Sequence, residues 1–319
     1  MLEEKESCSV VVPVFNEEEN IMPLSRKLKE VFQENDLPFE IIFVDDASSD
    51  GTLAILREVS REFPSVRYIS LSRNFGHQTA IRTGLAFARN RCVVTMDGDF
   101  QHPPEFIPIM LDLWRKGYDI VNARRRYSPD TGYFKKLTSR LFRKLNNALA
   151  EVELEDGVAD FRLMDRKVVD IINGMTEENL FIRGIVAWLG FHSLSVDYEQ
   201  PERVHGVSKY TLKKMFSLAL SGITSFSVKP LRLALAFGCA FSGLAFLYGV
   251  YAIYVYFMGR AISGWASLLV STLFLGGIQL TCLGIIGEYL AKVHMQVKNR
   301  PAFVIKEFSC DHGQDRKTS

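Results

Sequence analysis

Two stretches without a single charged residue, Leu233 to Gly259 and Ala261 to Gly287, constrain this 319-residue chain more than any other feature. Each is longer than the ~20 apolar residues an α-helix needs to cross the hydrocarbon core of a bilayer. Arg260 alone separates them, which predicts a tight transmembrane hairpin. Lys229 and Arg232 precede the pair, and Lys292, Lys298 and Arg300 follow it. The bias of Lys and Arg towards the inner face then places both ends on the cytoplasmic side. Tyr248, Tyr251, Tyr254 and Tyr256 gather at the far end of the first run, at a depth where aromatic rings favour the interface.

Just upstream, Leu212, Met215, Phe216, Ala219, Leu220, Ile223 and Phe226 follow i, i+3, i+4, i+7 spacing. The pattern fits an amphipathic helix lying on the membrane or a helix facing a soluble core. The hairpin that follows favours the membrane reading. This divides the chain into a soluble domain over 1–209, an interface helix over 210–230, two spans over 231–290 and a cytoplasmic tail over 291–319. The N-terminus, Met1 to Glu6, is acidic and no apolar core precedes Ser9, so no signal peptide is expected and the first half should stay in the cytoplasm. The five cysteines are scattered without Cys-x-x-Cys pairs, which suits a reducing compartment and argues against a disulfide framework or a zinc site. A formal net charge of +1 gives no bulk reason to expect nucleic acid as a partner.

The first half alternates short apolar runs with helical stretches, a pattern that implies an α/β domain built on a mostly parallel sheet. Strands are expected at Ser9–Val14, Ile41–Val44, Arg67–Leu71, Cys92–Met96 and Asp119–Ala123, with further strands over 157–163 and 193–198. Asn16 reads as the N-cap of the first helix, with acidic residues in its first turn. No G-x-G-x-x-G follows the first strand, so a dinucleotide-binding dehydrogenase is disfavoured.

The run Val93-Val94-Thr95-Met96 ends at Asp97-Gly98-Asp99, followed by Phe100-Gln101-His102-Pro103-Pro104. A strand delivering two carboxylates to its carboxyl end places hard oxygen ligands where open α/β sheets bind ligands. Mg²⁺ or Mn²⁺ bridged to a diphosphate suits such a pair, and Gly98 would let the ligand approach the backbone. A solvated acidic turn is the competing reading of these three residues alone. Glu17 after the first strand and Asp45-Asp46 after the second bring more carboxylates to the same edge.

Pro-x-x-Asn-Glu at Pro13–Glu17, Asp45-Asp46-Ala47-Ser48-Ser49-Asp50-Gly51-Thr52 and Asp-Gly-Asp-x-Gln-His-Pro-Pro occur in that order. Together they resemble the inverting glycosyltransferases of the GT-A fold, most closely the polyprenyl-phosphate branch of dolichyl-phosphate mannose synthase and bactoprenol glucosyltransferase. The resemblance covers about Ser9 to Tyr210, and the paired spans match the membrane-anchored members. It implies a hexosyltransferase moving a sugar from a nucleotide donor, UDP-glucose above all, to a polyprenyl phosphate with inversion. GDP-mannose as donor, or another lipid as acceptor, is the alternative. It also implies a multi-pass protein of the cell (inner) membrane, and leaves room for a homo-oligomer.

By the same resemblance Pro13, Phe15, Glu17, Val44 and Asp46 line the base and ribose, Asp97 and Gly98 meet the donor, and Asp97, Asp99 and Gln101 hold the metal. Arg124, which opens an Arg124-Arg125-Arg126 cluster, neutralises phosphate charge. Arg203, Lys209 and Arg140 are expected to receive the acceptor phosphate. Asp160, an isolated carboxylate on the strand after a basic helix, is the candidate base or acceptor-orienting group. His77, His102 and His205 read as structural or loop residues. The processive relatives carry Gln-x-x-Arg-Trp, which does not occur here and so favours single transfer.

Overall fold

The computed structural model describes residues 7–125, 157–177, 180–199, 228–258 and 264–309. The basic helix expected before Asp160 lies outside the described residues, as do residues 210–227 of the expected interface helix and Arg126, Arg140, Arg203, His205, Lys209 and Arg260. The described residues fall into two compact units. One holds the sheet, its helices and the segment from Pro301 onward; the other holds the two long apolar helices.

The sheet begins with β1 (Cys8–Val14), β2 (Phe39–Asp45), β3 (Val66–Leu71) and β4 (Cys92–Thr95). It is completed by β5 (Ile120–Arg125), β6 (Val158–Asp165), β7 (Ser193–Tyr198) and β8 (Ile305–Phe308). Their order across the sheet is β7-β5-β6-β4-β1-β2-β3-β8. β1 pairs in parallel with both β2 and β4, β2 with β3, and β5 with β7. β6 runs antiparallel between β4 and β5, and β8 antiparallel on β3. The carboxyl ends of β1 to β5 and β7 therefore share one rim, and the amino end of β6 joins them there.

The central strands are buried on both faces, as expected of continuous Val and Ile runs. Val10, Val11, Val12, Ile41, Ile42, Phe43, Val93 and Val94 have no exposed surface. Helices α1 (Glu18–Glu34), α2 (Thr52–Glu62), α3 (His77–Phe87) and α4 (Ile107–Arg115) follow the first four strands. After β6 come α5 (Arg166–Gly174) and α6 (Ile182–Trp188). Asp165 caps α5 by accepting the Lys167 N–H at 3.0 Å. Gly84 on α3 lies so close to β1 that a Cβ there would sit 2.1 Å from Val11 Cγ1. The glycine sets the distance between helix and sheet.

The second unit contains α7 (Lys229–Phe257) and α8 (Trp265–Val297). Both are long and apolar enough to cross a membrane, with candidate spans at Leu231–Val255 and Phe274–Val297. α8 continues unbroken through Glu288 and Lys292. Phe241 and Phe274 meet edge to face, with ring centroids 5.8 Å apart, where the helices pack.

Two expectations are corrected here. Asn16 is not an N-cap: Glu17 holds that position, without a side-chain cap hydrogen bond. Asn16 instead adopts a left-handed φ of 57°, which Asn tolerates, and its side chain crosses to the β2–α2 loop. The segment after the hairpin is not simply a tail, because residues 305–308 form the eighth strand of the sheet.

Candidate active site

The rim is built from loops braced against one another. Asn16 N–H donates to Ser48 Oγ at 2.9 Å, and Asn16 Oδ1 accepts the Ser49 N–H at 2.8 Å. Glu17 N–H donates to Thr52 Oγ1, and Glu18 Oε2 accepts the Gly51 N–H. Asp45 accepts the Ser48 N–H on one oxygen and the Ser70 hydroxyl on the other, at 2.9 and 2.8 Å. Asp46 receives the Phe75 and Gly76 N–H groups at 2.7 and 2.8 Å, one on each oxygen. Its burial raises its pKa, against the lowering effect of those two hydrogen bonds.

The residues expected at the donor site lie along this rim and in the strands behind it. Pro13 and Val44 face each other in register inside the sheet and are buried. Asp46 is 4 % exposed and holds the β3–α3 loop. Gly98 is buried against β1, where a Cβ would lie 3.0 Å from Val14 Cγ1. Strand packing there is close. Phe15 and Glu17 remain at the surface of the rim.

Asp97 stands beyond the end of β4. Its N–H donates to Nδ1 of His102 at 2.8 Å, and the buried His102 ring stacks on Phe161 at 4.9 Å. Nδ1 is therefore an acceptor, and burial lowers the His102 pKa, keeping the imidazole neutral. His102 is structural, as expected. Asp99 Oδ1 accepts the Gln101 N–H at 3.1 Å, and Phe100 between them takes a φ of 61°.

Asp160, at the amino end of β6, is 4 % exposed and heavily engaged. Arg183 on α6 grips it with Nε to Oδ1 at 2.8 Å and Nη2 to Oδ2 at 2.7 Å. Gln78 donates to Oδ2 at 3.1 Å and accepts the Ile182 N–H at 3.2 Å, which ties α6 to α3. Arg162 Nη2 lies 3.8 Å away. Burial alone would raise the Asp160 pKa, but the His77 and Arg183 hydrogen bonds and the two guanidinium charges hold it well below the usual carboxylate range. A carboxylate so strongly held in its ionised form is a weak base. The geometry suits the orienting role.

His77, the first residue of α3, links the two carboxylates. Its Nε2 lies 3.3 Å from Asp97 Oδ1 and 3.4 Å from Asp160 Oδ2. The surrounding protein disfavours the charged ring, but the Asp160 hydrogen bond and the Asp97 charge outweigh it and raise the pKa. Arg124, at the end of β5, is half-exposed on the same rim and donates through Nε to Asp197 on β7. Sequence reasoning missed His77 as a member of the site, and missed Gln78, Arg162 and Arg183 altogether. Arg162 two residues after Asp160 on one strand was the one local signal available.

Asp97 Oδ1 is a buried atom that receives no hydrogen bond and meets only the His77 Nε2 ion contact at 3.3 Å. A carboxylate oxygen at the rim that receives no hydrogen bond, with a second carboxylate two residues on, fits a hard divalent cation. Among the described residues no cluster of three or more His, Cys, Asp or Glu could hold a metal alone. A two-carboxylate site of this kind suits Mg²⁺ or Mn²⁺ completed by a substrate's phosphate oxygens.

Residues 9–172 match Glycosyl transferase family 2, and residues 229–293 match the GtrB C-terminal hairpin. An uncharacterised glycosyltransferase of Bacillus subtilis is 42 % identical over 300 residues, covering 94 % of this chain and 93 % of the relative. The SfII prophage-derived bactoprenol glucosyl transferase of Shigella flexneri is 41 % identical over 300 residues, covering 94 % of this chain and 97 % of its own length. A prophage bactoprenol glucosyl transferase homolog of Escherichia coli is 40 % identical, over 93 % of this chain and 98 % of that protein.

Proposed function

The chain belongs to Glycosyl transferase family 2 and is a hexosyltransferase, and from that premise we propose that it transfers glucose from UDP-glucose to a polyprenyl phosphate at a membrane, with inversion. The observation that carries this reading is the pair Asp97 and Asp99 on the rim where the parallel strands end, with Asp97 Oδ1 buried and receiving no hydrogen bond. Identity of 41 % to a bactoprenol glucosyl transferase along nearly the whole chain supports the acceptor class and the sugar.

Asp97 and Asp99 hold the divalent cation, with Gln101 adjoining. Mg²⁺ or Mn²⁺ held there would supply positive charge to a nucleotide diphosphate leaving group. Arg124 adds fixed positive charge on the same rim, where negative charge grows in the transition state. Phe15 and Glu17 offer the base an apolar face and an acceptor. The acceptor's phosphate monoester, with a second pKa of about 6, is largely ionised at pH 7 and needs positioning more than deprotonation. Asp160, locked in its ionised state by Arg183, orients His77 at the site. Arg203, Lys209 and Arg140 are the proposed cradle for the acceptor phosphate.

The helices α7 and α8 act as the anchor. The chain leaves the sheet unit after β7 and rejoins that unit as β8, so two crossings return it to the side it left. That supports a protein with its catalytic unit and the segment after the hairpin both on the cytoplasmic face.

Purified protein incubated with labelled nucleotide sugars, Mg²⁺ or Mn²⁺ and a polyprenyl phosphate tests the reading. A β-linked glucosyl lipid formed from UDP-glucose is expected. Transfer from GDP-mannose instead would reassign the donor, and no lipid-linked sugar from any donor would refute the proposal.

A further inference from the structure

We propose that β8, the strand the chain forms after its membrane hairpin, is a positioning element of the catalytic rim, with Glu307 as the residue that locks it in place. The inference rests on the glycosyl-transfer reading above and assigns that site a component outside the domain that the motifs mark.

β3 would be the open edge of the sheet without β8, with a row of unpaired backbone groups. β8 covers it antiparallel, with Ile69 opposite Phe308 and Leu71 opposite Ile305. Beyond the ladder, Ser72 N–H donates to the Val304 carbonyl at 2.9 Å, and Ser309 N–H donates to the Tyr68 carbonyl at 3.0 Å. Tyr68 N–H in turn donates to Ser309 Oγ at 3.1 Å. Glu307 then fastens the strand from the side. Arg57 on α2 grips it at 2.8 and 2.7 Å, and the Tyr68 hydroxyl donates to Oε1 at 3.2 Å. A lone surface ion pair contributes little, but this one is two-pronged, has a third partner and closes a backbone ladder.

The contact at Ser72 gives β8 its bearing on chemistry. Ser72 opens the loop that ends at His77, and the register shifts between Ser70 and Leu71, where β3 turns into that loop. The loop is fixed at its start by the Val304 carbonyl and at its end by Asp46, which takes the Phe75 and Gly76 N–H groups. The next residue, His77, reaches Asp97 and Asp160. A strand from the far end of the chain therefore holds one of the two supports of the loop that delivers His77.

The test uses the full chain in detergent and compares Glu307→Gln, Glu307→Arg, Arg57→Glu and the exchange of both charges. Donor kcat/KM is measured with polyprenyl phosphate, amide hydrogen exchange is followed across residues 72–76, and melting is recorded. Either charge reversal should lower donor kcat/KM about tenfold and speed exchange in the loop, with Glu307→Gln intermediate. The double exchange should restore both readouts, as coupled partners do. Lower melting temperatures with unchanged kcat/KM and unchanged loop exchange would reduce β8 to a stabilising strand and overturn the proposal. A wild-type protein that transfers no sugar would refute the function reading alone, since the exchange measurements still decide the role of β8.

Discussion

Arg183 and Asp160 meet as a two-pronged ion pair, Nε on Oδ1 and Nη2 on Oδ2, between the second residue pair of β6 and the first turn of α6. The carboxylate is almost wholly buried, so its charge is tolerable only because Arg183, His77, Gln78 and Arg162 surround it. Arg183 thus fixes both the position of Asp160 and its ionised state.

Removing that guanidinium leaves a buried carboxylate short of its strongest partner. Arg183→Ala should cost about 2–3 kcal/mol of stability at pH 7. Because the folded pKa of Asp160 lies below the unfolded one, the stabilisation is complete above the unfolded value near ~4 and fades as pH falls through the folded value. Denaturant melts of wild type and variant should converge on acidification below that point. A gap that widens instead would contradict the assignment.

Asp99→Asn should abolish glucosyl transfer while leaving the circular dichroism spectrum and melting unchanged. Chelation of divalent cations should have the same effect on the wild type, and added Mg²⁺ or Mn²⁺ should reverse it. Full turnover in excess chelator would remove Asp97 and Asp99 from the role of metal ligands.

Gly84→Ala places a methyl group 2.1 Å from Val11 Cγ1, far inside contact distance. Overpacking of this kind should destabilise the protein by about 1–3 kcal/mol. Since α3 begins at His77, a helix pushed off β1 should also lower turnover of the folded fraction. Gly174→Ala, at a position where a Cβ meets nothing within 4 Å, is the control and should be neutral or mildly stabilising. Thermal melts and kinetics of the two variants side by side check this.

Arg203→Ala should raise the acceptor KM and lower turnover while barely changing donor affinity. Loss of one charged hydrogen-bonding partner corresponds to about 1.5–3 kcal/mol, roughly tenfold to a hundredfold in efficiency. Kinetics in neutral detergent and in anionic liposomes distinguish this role from membrane docking. A defect confined to liposomes would assign Arg203 to the headgroups.

The sequence by itself determined which segments become buried strands and where they stop. Val10–Val12, Ile41–Val44 and Val93–Thr95 are apolar runs that end at polar motifs, and both signals are local to the chain. Because such runs pair in parallel, their acidic ends had to collect on one rim, and Asp97 and Asp99 are there. The two long apolar helices were legible for the same reason: sustained apolarity is a property of one continuous stretch.

What lies between strands was decided only by the tertiary structure. β6 runs antiparallel between β4 and β5, and that order brings Asp160 within reach of His77, 83 positions earlier in the chain. Motif spacing does not encode sheet order or register, so the burial of Val44 and the bracing roles of Asp46 and Gly98 could not be read from it. β8 is four residues of Ile-Lys-Glu-Phe, too short to stand out by pattern beside a long apolar hairpin. It exists because β3 offers an unpaired edge, and an edge is a property of the assembled sheet.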